Sequence, residues 1–253
     1  MMERLRHWGA ALLATIMLAA PPTQAAETKE KLSKHCPVPP WIGETRLALP
    51  NVQRGLRREK QIKIVAIGSS STMGSGGSGP EASWPAQLAT VLAKKMPAVK
   101  VVVVNKAEMR QSVPQMLARF DRDVLIAKPT LVIWEAGTFE AARHADVDTL
   151  LADLQVGIDR LLNNKIDVIM MDMQYARDTA RIINFQPYVD AIGRLGTMRD
   201  IFVFPRYDTM RSWVENEQIN FDASTKTEAI KTADTVYACL GTLVAELLAG
   251  SLK

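Results

Sequence analysis

The chain has 253 residues, 47% of them hydrophobic and 23% charged, with 14 Gly, 13 Pro and 2 Cys. That composition excludes a disordered, collagen-like or disulfide-scaffolded protein. Its 31 basic and 27 acidic residues leave a net charge of +4, scattered along the chain, so no electrostatic footprint for nucleic acid is present.

Arg4 and Arg6 precede an apolar run from Trp8 to Ala20, and Pro21-Pro22-Thr23-Gln24-Ala25 supplies small residues for cleavage after Ala25. Residues 1–25 are therefore expected to be a bacterial Sec-type signal peptide, with the mature chain exported to the periplasm or secreted. The rival reading, a membrane anchor, needs roughly 20 apolar residues where the run has about 13. No Cys follows the run, which argues against a lipoprotein. No later stretch reads as long and uncharged enough to span a membrane, so no transmembrane segment is expected after cleavage. Residues 26–60 carry Pro37, Pro39, Pro40 and Pro50 without a sustained period and read as an extended N-terminal arm. Cys36 and Cys239 are expected to pair in an oxidising compartment, with two buried free thiols as the other reading. With no CxxC and only His7, His35 and His144 as histidines, no metal-ligand set is expected.

The domain is expected over residues 61–250. Ile62 to Ile67 is a short apolar run ending in a Ser/Gly-rich loop, read as a buried strand and turn. Trp84 to Lys95 reads as a helix, Val99 to Val104 as a strand, and Val113 to Ile126 as a helix. Leu131 to Trp134 is a third strand, and Val147 to Leu162 a helix with Leu150, Leu154, Ile158 and Leu161 on one face. Val168 to Met171, Ile182 to Leu195 and Ile201 to Phe204 read as strand, helix and strand, and Thr232 to Leu248 closes the chain as a helix. Strands alternating with helices at this spacing specify an α/β fold with a parallel sheet covered on both faces, whose ligand site lies beyond the carboxyl ends of the strands.

The loop from Gly68 to Gly79 therefore carries the argument. A phosphate loop needs GxxxxGK[ST], and no Lys is present; a dinucleotide fingerprint forced onto Gly74, Gly76 and Gly79 lacks an acidic ribose ligand, since the next strand ends at Asn105. The remaining reading is a serine at a strand-to-helix turn. Lys63-Ile64-Val65-Ala66-Ile67-Gly68-Ser69-Ser70-Ser71-Thr72-Met73-Gly74 resembles the first block of the SGNH/GDSL hydrolases. Val102-Val103-Val104-Asn105-Lys106-Ala107 resembles the second, Leu131 to Phe139 the third, and Glu228-Ala229-Ile230-Lys231 falls on the final Asp-x-x-His. The resemblance implies a three-layer α/β/α sandwich with a five-stranded parallel sheet, flavodoxin-like, and an ancestral hydrolysis of acyl or acetyl esters through a serine acyl-enzyme without metal or organic cofactor.

Carried over residue by residue, Ser70 takes the nucleophile place and Ser69 stands where Asp is usual. The oxyanion-donating Gly is Ala107, the Asn is Phe139, and the His and its Asp partner fall on Lys231 and Glu228. Gly137 and Thr138 keep the third-block letters, and Asn105 ends the second strand. Ala107 retains a backbone N–H; Phe139 donates nothing, a loss of about 10² to 10³ in rate for one oxyanion donor. Losing a triad base removes on the order of 10⁶.

The expected function is that of an exported, catalytically impaired SGNH-like protein binding an envelope glycan, an acylated ligand or a protein partner. The alternative is an active esterase using Ser70 with Lys231 as base. Ser70 reads equally as a helix cap, and His144 as a solvated residue in place of a substitute base. Arg110 is read either as a cleft cation or as half of a surface ion pair, Trp134 and Glu135 as cleft lining or core, and Met170, Met171 and Met173 as core. Arg119, Asp121, Arg122 and Asp123 are expected to form a solvated helix face.

Overall fold

The computed structural model describes residues 36–37 and 45–252. The expected signal peptide, His35 and about half of the expected arm lie outside them.

Five strands, Gln61–Ile67 (β1), Lys100–Asn105 (β2), Leu131–Glu135 (β3), Asp167–Met171 (β4) and Phe202–Phe204 (β5), form one sheet in the order β2-β1-β3-β4-β5. Every pairing is parallel. Side chains alternate across the pleat, so the β-branched runs serve two cores. Ile62, Ile64, Ala66, Leu131, Ile133, Ile169 and Met171 face one apolar layer, built with Trp84, Leu88 and Leu92 and with Leu240, Leu243 and Val244 of the last helix. Val65, Ile67, Val132, Trp134, Val168 and Met170 face the other, built with Met116, Phe120, Leu154, Ile158 and Ile192. The result is the expected three-layer α/β/α sandwich. Met170, Met171 and Met173 are core, as is Trp134, whose Nε1–H points at Met116 Sδ from 3.2 Å.

The helices at Trp84–Lys95 and Val147–Asn163 stand where the periodicity placed them, the second capped by Asp146, which accepts from Thr149 N–H. Several expectations need correction. The arm is not extended to residue 60: Pro50–Glu59 is a helix. Its first N–H groups are satisfied from across the fold, where the Asp167 carboxylate accepts from Asn51 N–H, Val52 N–H and Asn51 Nδ2 at 2.9, 2.9 and 2.6 Å. The continuous helix expected over residues 113–126 is broken into Val113–Ala118, Phe120–Asp123 and a 3₁₀ turn at Leu125–Ala127. The break falls at Arg119, whose side chain turns inward. Arg206–Glu215 is a further helix, not among the expected elements.

The final helix is Lys226–Ser251, beginning six residues before the expected Thr232. Thr225 and Glu228 form its capping box, a T-x-x-E signature present in the sequence. With 26 residues and a mean hydropathy of 1.3 over its most apolar stretch, it is long and apolar enough to cross a membrane by length and composition alone, a property expected of no later stretch. In this fold its apolar residues are buried against the Trp84–Lys95 helix and the sheet.

Cys36 and Cys239 form a disulfide, tying a segment before the domain to this helix across 203 residues. Trp213 Nε1–H donates to the Pro37 carbonyl beside it at 2.9 Å.

Candidate functional site

The strand order reverses between β1 and β3, so their carboxyl ends open side by side, the place where α/β sheets bind ligands. The two exits are bonded by a carboxylate. Glu135, the last residue of β3 and 1% exposed, accepts from Ser69 N–H at 2.9 Å and Thr72 Oγ1–H at 3.3 Å through Oε2, and from Thr138 Oγ1–H at 3.0 Å through Oε1. This approach requires glycine at 68, where a Cβ would stand 2.6 Å from Thr72 Oγ1 and 2.8 Å from Glu135 Oε2. It also depends on Gly137, whose φ of +98° and contact with Ile192 leave no room for a side chain. Ser69 occupies the usual Asp position of the first block, and Glu135, delivered from the neighbouring strand, is the carboxylate that holds this loop.

Ser70 opens a one-turn helix, Ser70–Met73, and is half-buried. Its Oγ accepts from Arg110 N–H at 3.0 Å, its only side-chain hydrogen bond among the described residues. Ser69 Oγ accepts from Gln111 N–H at 3.1 Å, so two adjacent serines hold the loop after β2. Arg110 lies in that loop with φ +56° and an exposed side chain. The surface ion pair expected for its guanidinium is not formed among the described residues: Glu108 pairs with Arg122 at 3.2 Å instead. Asn105 joins the two loops, donating from Nδ2 to the Thr72 carbonyl at 2.8 Å and accepting Ala107 N–H at 3.0 Å. That second bond engages the donor which the resemblance assigns to the oxyanion. Phe139 sits half-buried on the short Thr138–Ala142 helix, with the Arg143 guanidinium 5.8 Å from its ring centroid.

Lys231 and Glu228 do not join Ser70. Lys231 is exposed on the final helix and makes no side-chain hydrogen bond or ion pair among the described residues; Glu228 is exposed and spends its carboxylate on the N–H groups of Ser224 and Thr225, both at 2.9 Å. His144 is exposed as well. Of the expected constellation, the fold gathers Ser70, Asn105, Ala107, Arg110, Gly137 and Thr138.

Of the expected solvated face after residue 118, Asp121 and Arg122 are exposed, whereas Arg119 and Asp123 turn inward as a brace for the β2 loop. Arg119 and Asp123 are 7% and 6% exposed. Arg119 Nη1 donates to the Lys106 carbonyl at 2.6 Å and to Asp123 at 2.9 Å, and its Nε donates to Gln111 Oε1 at 3.1 Å. The Arg122 and Arg119 guanidinium groups bonded to Asp123 hold its carboxyl down at about 2.

On the other side of the Ser70 turn lies a cation that the sequence reading missed. Arg206 has no exposed surface, and its Nη1 donates to Ser71 Oγ at 2.9 Å. Nothing in the Phe204-Pro205-Arg206 sequence marks this residue as buried; Pro205 reads only as a strand stop. Among the described residues no group of His, Cys, Asp and Glu is arranged to hold a metal ion.

The sequence profile of the Non-GDSL lipase-like family matches residues 35–253. The chain belongs to that family. Among solved structures, a lipase/acylhydrolase from Enterococcus faecalis is similar at 22% identity with a TM-score of 0.59, over 76% of this chain and 97% of that one. An acetyl-xylooligosaccharide esterase from Geobacillus stearothermophilus gives 17% identity and 0.57, over 76% and 94%. A lipolytic protein of the G-D-S-L family from Desulfitobacterium hafniense gives 22% and 0.53, over 72% and 99%. No curated protein matches the chain. At these identities the likeness is one of fold, and it confirms the SGNH/GDSL hydrolase architecture. Membership of a non-GDSL family accords with the serine at position 69 of this chain.

Proposed function

We propose that this Non-GDSL lipase-like protein is exported, is catalytically impaired as an ester hydrolase, and acts by binding an envelope glycan, an acylated ligand or a protein at the carboxyl end of its sheet. The observation that carries the reading is the environment of Ser70: its Oγ accepts a backbone N–H from Arg110, and no His, Lys or carboxylate among the described residues bonds to it. A serine hydroxyl attacks an ester only when a base takes its proton, and removing the base and an oxyanion donor together leaves little of the rate. The engagement of Ala107 N–H by Asn105 weighs the same way. Export is supported by the leader pattern in residues 1–25 and by the Cys36–Cys239 disulfide, a bond favoured outside the cytoplasm.

The test is fluorophosphonate labelling of the mature chain, then turnover of a small acetyl ester by wild type, Ser70→Ala and Lys231→Met. The expected result is no label on Ser70 and the same slow turnover for all three proteins. Labelling at Ser70, with turnover abolished by both substitutions, overturns the reading and makes Lys231 the base.

A further inference from the structure

A cavity of about 250 Å³ lies between the final helix, the loop after β4 and the start of the Arg206–Glu215 helix, lined by Gln174, Tyr175, Arg206, Met210, Phe221 and Val236 among others. Its chemistry is lopsided. The aromatic and aliphatic side chains make an apolar wall, and behind it stands the one fully buried guanidinium among the described residues. Arg206 has an acceptor for Nη1 in Ser71 Oγ, a long 3.4 Å bond from Nη2 to Gln174 Oε1, and no acceptor at all for Nε. No described carboxylate lies within ion-pair distance of it. Burial lowers its pKa, and Glu135 acts on it only through the longer-range field. A desolvated cation without a partner is costly, and an anion at hydrogen-bond distance offsets that cost.

We propose that this cavity binds a small carboxylate with an apolar body, its head group taken by Arg206. The planar guanidinium offers parallel N–H donors that match a carboxylate, and the free Nε and the weakly held Nη2 are two of them. Gln174 is the gate. It is half-buried in an irregular loop, residues 172–176, and releasing its 3.4 Å bond frees the second donor. The volume holds about eight non-hydrogen atoms at the packing of liquid water, which is the size of hexanoate. Tyr175, Phe221, Met210 and Val236 would surround the aliphatic chain while the carboxylate reaches inward.

The proposal names a ligand class for the binding reading above and rests on it, but the two fail separately, because labelling and turnover at Ser70 do not read this cavity. The experiment is calorimetric titration of the mature chain with hexanoate and, as the uncharged match, hexanamide, on wild type, Arg206→Gln and Ala233→Leu. Ala233 is half-buried on the final helix and lines the cavity, so a larger side chain there takes up its volume while the guanidinium is kept. The expected result is saturable binding of hexanoate, with hexanamide weaker by about tenfold or more and each substitution costing about tenfold or more. Absence of hexanoate binding in the millimolar range, equal affinity for hexanamide, or undiminished binding by Ala233→Leu overturns it. If Arg206→Gln does not fold, the amide comparison and the filled cavity still decide.

Discussion

Asp172, the first residue beyond β4, is 3% exposed and accepts Tyr207 N–H at 2.8 Å, which caps the Arg206–Glu215 helix from outside it. Burial pushes its carboxyl from an ordinary 3.8 up to about 8. Between those values the folded protein holds a proton that the unfolded chain has released, so stability is highest below the window and falls as pH rises through it. Asp123 has the opposite sign: held at about 2 by Arg122 and Arg119, it contributes stability above the ordinary value, lost as pH falls toward 2. Urea midpoints measured from about pH 4 to about pH 8 should therefore decline for wild type. Asp172→Asn, which keeps an oxygen for Tyr207 N–H and carries no charge, should flatten that decline. An unchanged slope in the variant removes Asp172 as its source. Neither carboxylate announces itself in the sequence, where Asp172 is one acid after a Met run and Asp123 one of several charges in a row. Their behaviour comes from what the fold stacks around them.

At the level of elements, the Pro50–Glu59 helix is one whose cap no local pattern encodes. Pro50 at its first turn is a readable start signal, but Leu49 at the N-cap supplies no side-chain acceptor. The acceptor is Asp167, 116 residues from Asn51, and the buried Val52 fastens the helix to the sheet. Removing that carboxylate strands two backbone N–H groups and the Asn51 amide. Asp167→Ala should lose about 1–3 kcal/mol in chemical denaturation, while Asp167→Asn, which keeps an acceptor, should lose less; equal losses would show that the carboxylate's charge carries the cap. The final helix is the contrary case, since Thr225 and Glu228 form a local capping box that a three-residue spacing reveals. The same local bond removes Glu228 from the catalytic role that the block alignment gave it. The helix expected over residues 113–126 fails for a tertiary reason: Arg119 turns inward to the Lys106 carbonyl and Asp123, and the chain breaks there to let it.

For the whole molecule, the Cys36–Cys239 bond closes a loop over nearly the entire described chain. Its loss should lower stability by about 5 kcal/mol if the effect is entropic. Paired Cys36→Ser and Cys239→Ser substitutions, or reduction, should lower the unfolding free energy measured in urea by that amount; a change below about 1 kcal/mol would mean that the unfolded chain is already constrained without the bond. The topology of the sheet has a local origin. Its five strands come from apolar runs too short for helices, and their parallel order from the helices between them.

The sequence by itself determined the layers, the sheet, the meeting of the Gly68, Asn105 and Gly137 loops, and the absence of any histidine after His144, because periodicity and residue identity are local properties. Only the tertiary structure decided which polar groups are buried and what they hold. Glu135 became the clasp between two strand exits, Arg119 the brace of the β2 loop, and Arg206 a cation behind an apolar cavity. The physical reason is that the energy of a buried charge is set by partners distant in the chain, and no spacing along the sequence encodes their approach.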